Sequence, residues 1–226
     1  MLCNLFEDTR KKCDQYWPSY NDINNTNKNL NISNNNNYSL LEVDEYIIYL
    51  QSEEYKLNKN VVERNIKLVC KLSKTEHFCT QIQVICWPDH SVPSNDVYYK
   101  LFEYIFSSID YYKYIIESKQ PILVHCSAGI GRTGTLISMY NIYDQINKQL
   151  RIIKNSKLKD LNHILFSVFT QVRKTREQRY MSVSDYCQYN LIYTFIYEYL
   201  KIMLNDNNII DENIMSIKDK LNEFTI

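Results

Sequence analysis

The sequence contains very little glycine and proline. Only three of its 226 residues are glycine and only four are proline, so most turns must be formed by other residues. The glycines, Gly129, Gly131 and Gly134, all lie within six residues of one another. Glycine is favoured where the backbone adopts a positive φ or closely approaches a ligand. This distribution therefore points to one short segment as a candidate binding loop.

Charge imbalance, metal-binding spacings and long apolar runs are also lacking. Lys and Arg total 26, as do Asp and Glu, so we expect no general attraction to nucleic acid or to a membrane surface. The most apolar stretch, residues 191–204, is interrupted by Glu198 and Lys201 and is too short to cross a bilayer. The seven cysteines form no C-x-x-C pair and no His/Cys metal spacing. We therefore expect no metal, no cofactor and a reducing, cytoplasmic location.

The composition predicts one folded domain with two atypical segments. A chain of this length that is 45% hydrophobic can build one sizeable core. Residues 19–39 include ten asparagines and have little to bury, so this insert is predicted to be a disordered loop. We assign residues 1–204 to one folded domain and residues 205–226 to a C-terminal tail that forms at most a short helix.

Hydrophobic periodicity predicts a mixture of strands and helices. Ser94, Asn95 and Asp96 are candidate caps for the first helix. The expected architecture is an α/β fold in which helices flank a twisted mixed sheet. Strands are predicted at residues 1–6, 42–50, 61–72, 79–86 and 122–125, and helices at residues 97–118, 133–149, 159–174 and 184–204.

The glycine segment has the composition of an anion-binding loop. It lies between an apolar run and a predicted helix, where free backbone N–H groups and the helix dipole converge. Cys126 begins the loop, and these N–H groups would stabilise its thiolate. Arg132, six positions later, can hold two anion oxygens, and Thr133 can donate a hydrogen bond to the thiolate. His125 is expected to orient the loop, and the remaining substrate-binding positions are Ser127, Ala128, Gly129, Ile130 and Gly131.

The string from His125 to Thr135, HCSAGIGRTGT, resembles the signature of the classical protein tyrosine phosphatases at every position. A second string, WPDHSVP from Trp87 to Pro93, is similar to the mobile acid loop of that family. The resemblance implies that Asp89 is the general acid, which also contacts the substrate, and that Trp87 anchors the loop. The family usually has glycine where this chain has Ser91.

Two further segments resemble the family. Near the start, the resemblance implies that Glu7 pairs with the loop arginine and that Lys12 reaches toward the acid loop. Near the end, the family usually reads QRxxMVQTxxQY, whereas here the glutamine that positions the hydrolytic water is replaced by Ser184. Gln188 matches the second glutamine of that motif and is a candidate substitute.

The resemblance covers roughly residues 1–203 and implies hydrolysis of phosphotyrosine in proteins through a phosphocysteine on Cys126. The family domain normally begins upstream of Met1 and includes a phosphotyrosine-clamping loop that has no counterpart here. We therefore expect an N-terminally incomplete or reduced version of the fold. Two alternatives remain open: a pseudophosphatase that binds phosphotyrosine without turnover, and a dual-specificity or phosphoinositide phosphatase with a more open site.

Overall fold

The computed structural model describes residues 1–19, 39–116, 120–155 and 164–206. By its internal contacts the chain divides into two compact units, Met1–Pro88 and Asp89–Ile226. The asparagine-rich insert, apart from its end residues Ser19 and Ser39, lies outside the described residues, as does the tail beyond Asp206. The division into a domain at 1–204 and a tail at 205–226 therefore stays a prediction.

The first unit is built on antiparallel strands. A two-stranded ribbon comprises β1 (Phe6–Glu7) and β2 (Arg10–Lys11). A four-stranded sheet has the order β3-β4-β5-β6, and every pairing in it is antiparallel. Its strands are β3 (Ser39–Val43), β4 (Tyr46–Lys56), β5 (Val61–Cys70) and β6 (Glu76–Val84).

Two of the predicted strands in this unit are wrong in detail. The predicted strand 42–50 is divided by a turn, because Asp44 adopts a φ of 47°, a left-handed conformation that aspartate tolerates better than most residues. The predicted strand 1–6 is not formed, and only Phe6 of that segment lies in a strand. Met1 nevertheless contacts the end of β6, because its amino group donates to the Ile82 carbonyl at 2.9 Å and its carbonyl accepts from the Val84 N–H at 2.9 Å.

One hydrophobic cluster of the first unit lies on one face of the sheet. Leu50 on β4 and Ile66 on β5 are paired across the ladder, and both are buried. They pack with Met1, Cys3 and Trp17 from the N-terminal segment. The same face continues through partly buried positions two residues away, because side chains alternate along a strand; these are Ile48 and Leu68.

The second unit is helical. Helix α1 (Tyr98–Asp110) continues as a π-helical turn (Tyr111–Ile115). It is followed by α2 (Gly131–Asn155), α3 (Val168–Gln178) and α4 (Tyr186–Asp206). Helix α2 packs against both α3 and α4. Phe106 on α1 and Phe195 on α4 are fully buried, and their ring centroids lie 5.3 Å apart in an edge-to-face arrangement, a geometry that aromatic pairs favour.

The capping of α1 and the start of α3 differ from the sequence prediction. No side chain caps α1: the cap residue is Val97, and the Ser94 carbonyl accepts from both Val97 and Tyr98 N–H groups at 3.0 Å. The predicted caps Ser94, Asn95 and Asp96 therefore do not act through their side chains. Of the helix predicted at 159–174, residues 159–163 lie outside the described part of the chain, and residues 164–167 are not helical. The helix begins at Val168, where the Ser167 side chain accepts from the Thr170 N–H and caps it.

The predicted strand 122–125 is also wrong. Residues 121–126 are assigned neither strand nor helix, and the Ile122 and Leu123 side chains are 52% and 85% exposed. A strand requires a neighbouring strand to satisfy its backbone hydrogen bonds. Within the described residues no strand pairs with this segment, so its apolar composition alone was not sufficient to form one.

Candidate active site

The loop between Cys126 and the start of α2 has the expected conformation of an anion-binding loop. Gly129 adopts a φ of 72°, which glycine accommodates at little steric cost. Helix α2 begins at Gly131, two residues earlier than the sequence predicts. The first turn of α2 therefore follows directly on the loop and contributes its unsatisfied N–H groups. Such a terminus favours negative charge through both hydrogen bonds and the helix dipole.

The Cys126 thiol is buried and electrostatically activated. Burial by itself raises the pKa of this thiol, but several contacts more than offset that effect. The nearby Thr133 hydroxyl, the backbone groups of Thr133 and Gly129, and the charge of Arg132 leave the pKa of Cys126 below its ordinary value of 9.0. At a given pH a larger fraction of Cys126 is therefore present as the thiolate than at an ordinary cysteine. The thiolate is the form of cysteine that acts as a nucleophile.

His125 lies beside the loop as an uncharged group near neutral pH. Burial lowers the pKa of its imidazole below the usual value of 6.5. Its Nδ1 lies 3.1 Å from the Cys126 carbonyl oxygen. This contact is of the kind that the predicted orienting role requires, because it connects the ring to the backbone of the predicted nucleophile.

Arg132 joins the loop to the predicted general acid. Its side chain is almost completely buried, with 1% exposure, and its Nη2 donates to Asp89 Oδ1 at 3.1 Å. The Asp89 side chain is 30% exposed. Two groups that are 43 residues apart in sequence thus lie in direct contact, and the carboxylate lies next to the guanidinium that would hold an oxyanion.

Ser184 and Gln188 also lie against the loop. A Cβ placed on Gly131 would be only 2.8 Å from Ser184 Oγ and 3.1 Å from Gln188 Oε1, so a larger residue could not be accommodated there without displacement. Gln188 is 1% exposed, and its Oε1 lies 3.5 Å from both Ser184 Oγ and Thr135 Oγ1. The structure therefore brings together the two side chains on which the predicted second chemical step depends.

Several contacts that the sequence analysis did not predict hold residues 179–184 against the loop. Arg179 Nη2 donates to the Ala128 carbonyl at 3.0 Å, and the Val183 N–H donates to the Ile130 carbonyl at 3.2 Å. Arg176 donates from Nε to the Ser182 carbonyl and from Nη2 to the Val183 carbonyl, both at 2.8 Å. The signal in the sequence was that Arg179 is the arginine of the QR pair in the family motif, whereas no pattern singled out Arg176.

Three predicted site residues lie in the first unit. Glu7 Oε1 accepts from the Asn4 N–H at 3.1 Å, the Lys12 N–H donates to the Leu5 carbonyl at 2.8 Å, and the Trp87 side chain is buried. Their predicted roles, Glu7 with Arg132, Lys12 with the acid loop and Trp87 as its anchor, stay predictions. Across the part of the chain that the structure describes, no group of three potential metal-binding side chains is found, and no helix there is long and apolar enough to cross a membrane.

Comparisons with known proteins agree on one family. A model described as protein-tyrosine phosphatase matches residues 1–198. Human tyrosine-protein phosphatase non-receptor type 12 is 28% identical over 199 residues, which are 87% of this chain and 20% of the relative. Human non-receptor type 20 is 29% identical over 209 residues, which are 90% of this chain and 39% of the relative. The chain thus spans well under half the length of these relatives.

Solved structures give the same result. A structure of PTPN18 in complex with HER2 phosphopeptides is 25% identical to this chain, with a TM-score of 0.61, and the match covers 87% of this chain and 56% of that one. The Trypanosoma brucei protein tyrosine phosphatase TbPTP1 is 27% identical, with a TM-score of 0.63, and the match covers 88% and 59%. The predicted α/β fold class is confirmed by these matches.

Proposed function

Because the chain belongs to the protein-tyrosine phosphatase family, we propose that it hydrolyses phosphotyrosine in proteins through a phosphocysteine on Cys126. The observation that supports this proposal most directly is the lowered pKa of the Cys126 thiol, in a loop whose arginine contacts Asp89 at 3.1 Å. A nucleophile, an oxyanion-binding group and an acid are then present in one site. These are the groups that a two-step transfer of phosphate to water requires.

In the first step the Cys126 thiolate attacks phosphorus, forming an S–P bond while the P–O bond to the tyrosine ring breaks. Asp89 donates its proton to the departing phenolate, so that neutral tyrosine leaves. Arg132 and the loop N–H groups hold the phosphoryl oxygens, where their charge stabilises the transition state. The guanidinium is suited to this role because its planar fork can bind two oxygens at once.

In the second step a water molecule attacks the phosphocysteine. The Asp89 carboxylate accepts a proton from that water, the S–P bond breaks, and inorganic phosphate and the Cys126 thiolate are released. The Thr133 hydroxyl lies close enough to help lower the pKa of Cys126, and by donating a hydrogen bond to the thiolate it would favour the thiolate as a leaving group. We assign positioning of the water to Ser184 and Gln188 together, because both lie against Gly131.

The substrate class and the location follow from the same chemistry. A thiolate nucleophile must stay reduced, and the described structure shows all seven cysteines as free thiols, so we propose a reducing compartment. A phosphotyrosine side chain is the substrate that the family match favours. PTPN18 has been solved with phosphopeptides, and we propose that phosphotyrosine-containing proteins are the partners of this chain too.

A second candidate function is phosphotyrosine binding with very slow turnover. Ser184 favours it, because a serine hydroxyl is shorter than the usual glutamine amide, and here it contacts Asp185 at 3.4 Å and Gln188 at 3.5 Å. Formation of the phosphocysteine would then proceed while its hydrolysis lagged. Rapid mixing with an aryl phosphate separates the two functions, because slow hydrolysis gives a burst of phenol followed by a slow steady state.

The decisive experiment compares the wild-type chain with Cys126→Ser on a phosphotyrosine peptide, with the matching phosphoserine peptide alongside. Turnover should fall by orders of magnitude, because serine is not ionised at neutral pH, while binding of the peptide is retained. Cys187→Ser, which changes an exposed cysteine, is the matched control and should retain wild-type turnover. Hydrolysis by Cys126→Ser at near wild-type rate would overturn the proposal, and equal hydrolysis of phosphoserine would indicate the dual-specificity alternative.

A further inference from the structure

His90, the residue after the general acid, is held by a hydrogen bond from outside the acid loop. Its Nδ1 lies 3.0 Å from Asp185 Oδ2, and its Nε2 lies 3.8 Å from Asp89 Oδ2. The ring therefore lies between two carboxylates that are 96 residues apart in sequence. His90 also adopts a φ of 51°, a left-handed conformation that is uncommon for non-glycine residues, although histidine tolerates it better than most.

Asp185 is a fixed point relative to the nucleophile. It directly follows the segment that Arg176 holds through the Ser182 and Val183 carbonyls. The same segment donates from the Val183 N–H to the Ile130 carbonyl of the loop. A hydrogen bond to Asp185 thus ties His90 to the backbone that surrounds Cys126, and this connection does not pass through Arg132.

We propose that His90 and Asp185 are positioning residues that hold the acid loop so that Asp89 lies over the bound phosphoryl group. The inference rests on the proposed function. Both side chains are partly exposed, at 75% and 33%, so their hydrogen bond contributes little to overall stability. Its effect is on geometry, since misplacing a reacting group by about 1 Å can cost on the order of 10²-fold in rate.

The first test uses Asp185→Ala, Asp185→Asn and His90→Phe. Asp185→Ala and His90→Phe should each lower kcat by about 10-fold on aryl phosphates with poor leaving groups, within the ~10²-fold range for misplacement. KM should change little, and substrates with very acidic leaving groups should be affected less because they need little protonation. Asp185→Asn should restore most of the rate, because its amide oxygen still accepts from Nδ1–H.

The second test repeats Asp185→Ala in an Asp89→Ala background. With the acid removed there is nothing left to position, so the second substitution should cause no further loss. A full additional loss there would overturn the proposal, because it would show that Asp185 acts through the start of α4. Glu177→Ala is the matched control: it removes a surface carboxylate that pairs with Arg173 within α3 at 3.3 Å and should leave kcat unchanged.

A third measurement does not depend on turnover and separates the two proposals. If the wild-type chain were inactive, the proposed function would fail, whereas positioning could still be read from the loop itself. Backbone ¹⁵N relaxation dispersion should show new microsecond-to-millisecond exchange at residues 89–91 in Asp185→Ala. Unchanged dispersion at these residues would contradict the inference whatever the activity of the chain.

Discussion

Two arginine side chains are buried within the described residues, one in each unit, and they illustrate different uses of a buried charge. Arg64, 6% exposed, donates to Glu53 at 2.5 Å, to Gln81 at 2.9 Å and to Gln83 at 2.8 Å. Its guanidinium also lies 4.4 Å from the centroid of the Trp17 ring. Every one of these neighbours belongs to the first unit, and three of them are on adjacent strands of one sheet.

Arg132, 1% exposed, contacts a carboxylate that differs from Glu53 in its location in the fold. Asp89 belongs to a loop rather than a strand, and it is 30% exposed. Burying a charge is costly unless it is paired and hydrogen-bonded. At Arg64 neighbouring sheet residues meet that requirement, whereas at Arg132 the carboxylate that meets part of it belongs to the proposed general acid. The first arginine therefore stabilises the fold, whereas the second, under the proposed function, serves the reaction.

The largest expected effect is that of Asp89→Ala. Loss of the general acid should lower kcat by ~10²–10⁴-fold on poor leaving groups with little change in KM, because the acid acts in the transition state. Steady-state kinetics on a series of aryl phosphates measures this. Equal losses on good and poor leaving groups would exclude Asp89 as the acid. The pairing of Arg132 with Asp89 would then no longer distinguish Arg132 from Arg64 by function.

Arg64→Ala should destabilise the first unit without any direct effect on the chemistry. Removing one partner of a buried ion pair costs about 3–5 kcal/mol because the other charge is left uncompensated. Here the Trp17 ring would lose its contact as well. Denaturant unfolding checks the value, and Lys67→Ala, which removes a more exposed pair with Glu76, is the matched control at about 0–1 kcal/mol. A cost no larger than that of the control would contradict the structural role.

Arg132→Lys should show the opposite pattern. Lysine keeps the charge but loses the bidentate fork, so kcat/KM should fall by about 10²–10³-fold, as for removal of an oxyanion-binding donor. The loss of unfolding free energy should be smaller than that for Arg64→Ala. The comparison between the arginines fails if Arg132→Lys retains activity or unfolds more readily than Arg64→Ala.

Ser184→Gln should speed the second chemical step several-fold by restoring an amide that orients water. We expect hydrolysis of the phosphocysteine to be slow in the wild-type chain and the burst of phenol to shrink in the variant. Gln188→Ala is the companion variant and should enlarge the burst. Absence of a burst in the wild type, with no gain in Ser184→Gln, would mean that Gln188 alone already positions the water.

The smallest effect concerns the pH dependence of Cys126 alkylation. Because the folded pKa of this thiol lies below 9.0, the thiolate and its reactivity should persist to lower pH than in an ordinary cysteine. Thr133→Val removes a hydroxyl that helps to lower the pKa of Cys126, so the alkylation profile, followed by mass spectrometry at Cys126, should shift to higher pH. Thr135→Val is the control, because its hydroxyl donates to the Gly131 carbonyl at 2.9 Å; an equal shift in both variants would rule out a specific role for Thr133.

Local sequence patterns predicted the elements that are long and strongly periodic. The strand at Val61–Cys70 was predicted at 61–72, and the helix at Gly131–Asn155 was predicted at 133–149. Both predicted starts lie within two residues of the observed ones. The prediction of a strand at 122–125 was wrong because an apolar run does not specify a pairing partner. The prediction of one continuous strand at 42–50 was wrong because a hydrophobicity pattern does not indicate that Asp44 adopts a left-handed conformation.

The sequence by itself determined the nucleophile loop. Cys126, three glycines and Arg132 lie within nine residues, so their chemistry is set by local spacing and by the start of one helix. Only the tertiary structure decided that Asp89 meets Arg132, that Ser184 and Gln188 meet Gly131, and that Asp185 holds His90. Those pairs are separated by 43 to 95 residues, and such contacts depend on how helices and loops pack, which no local pattern of residues records.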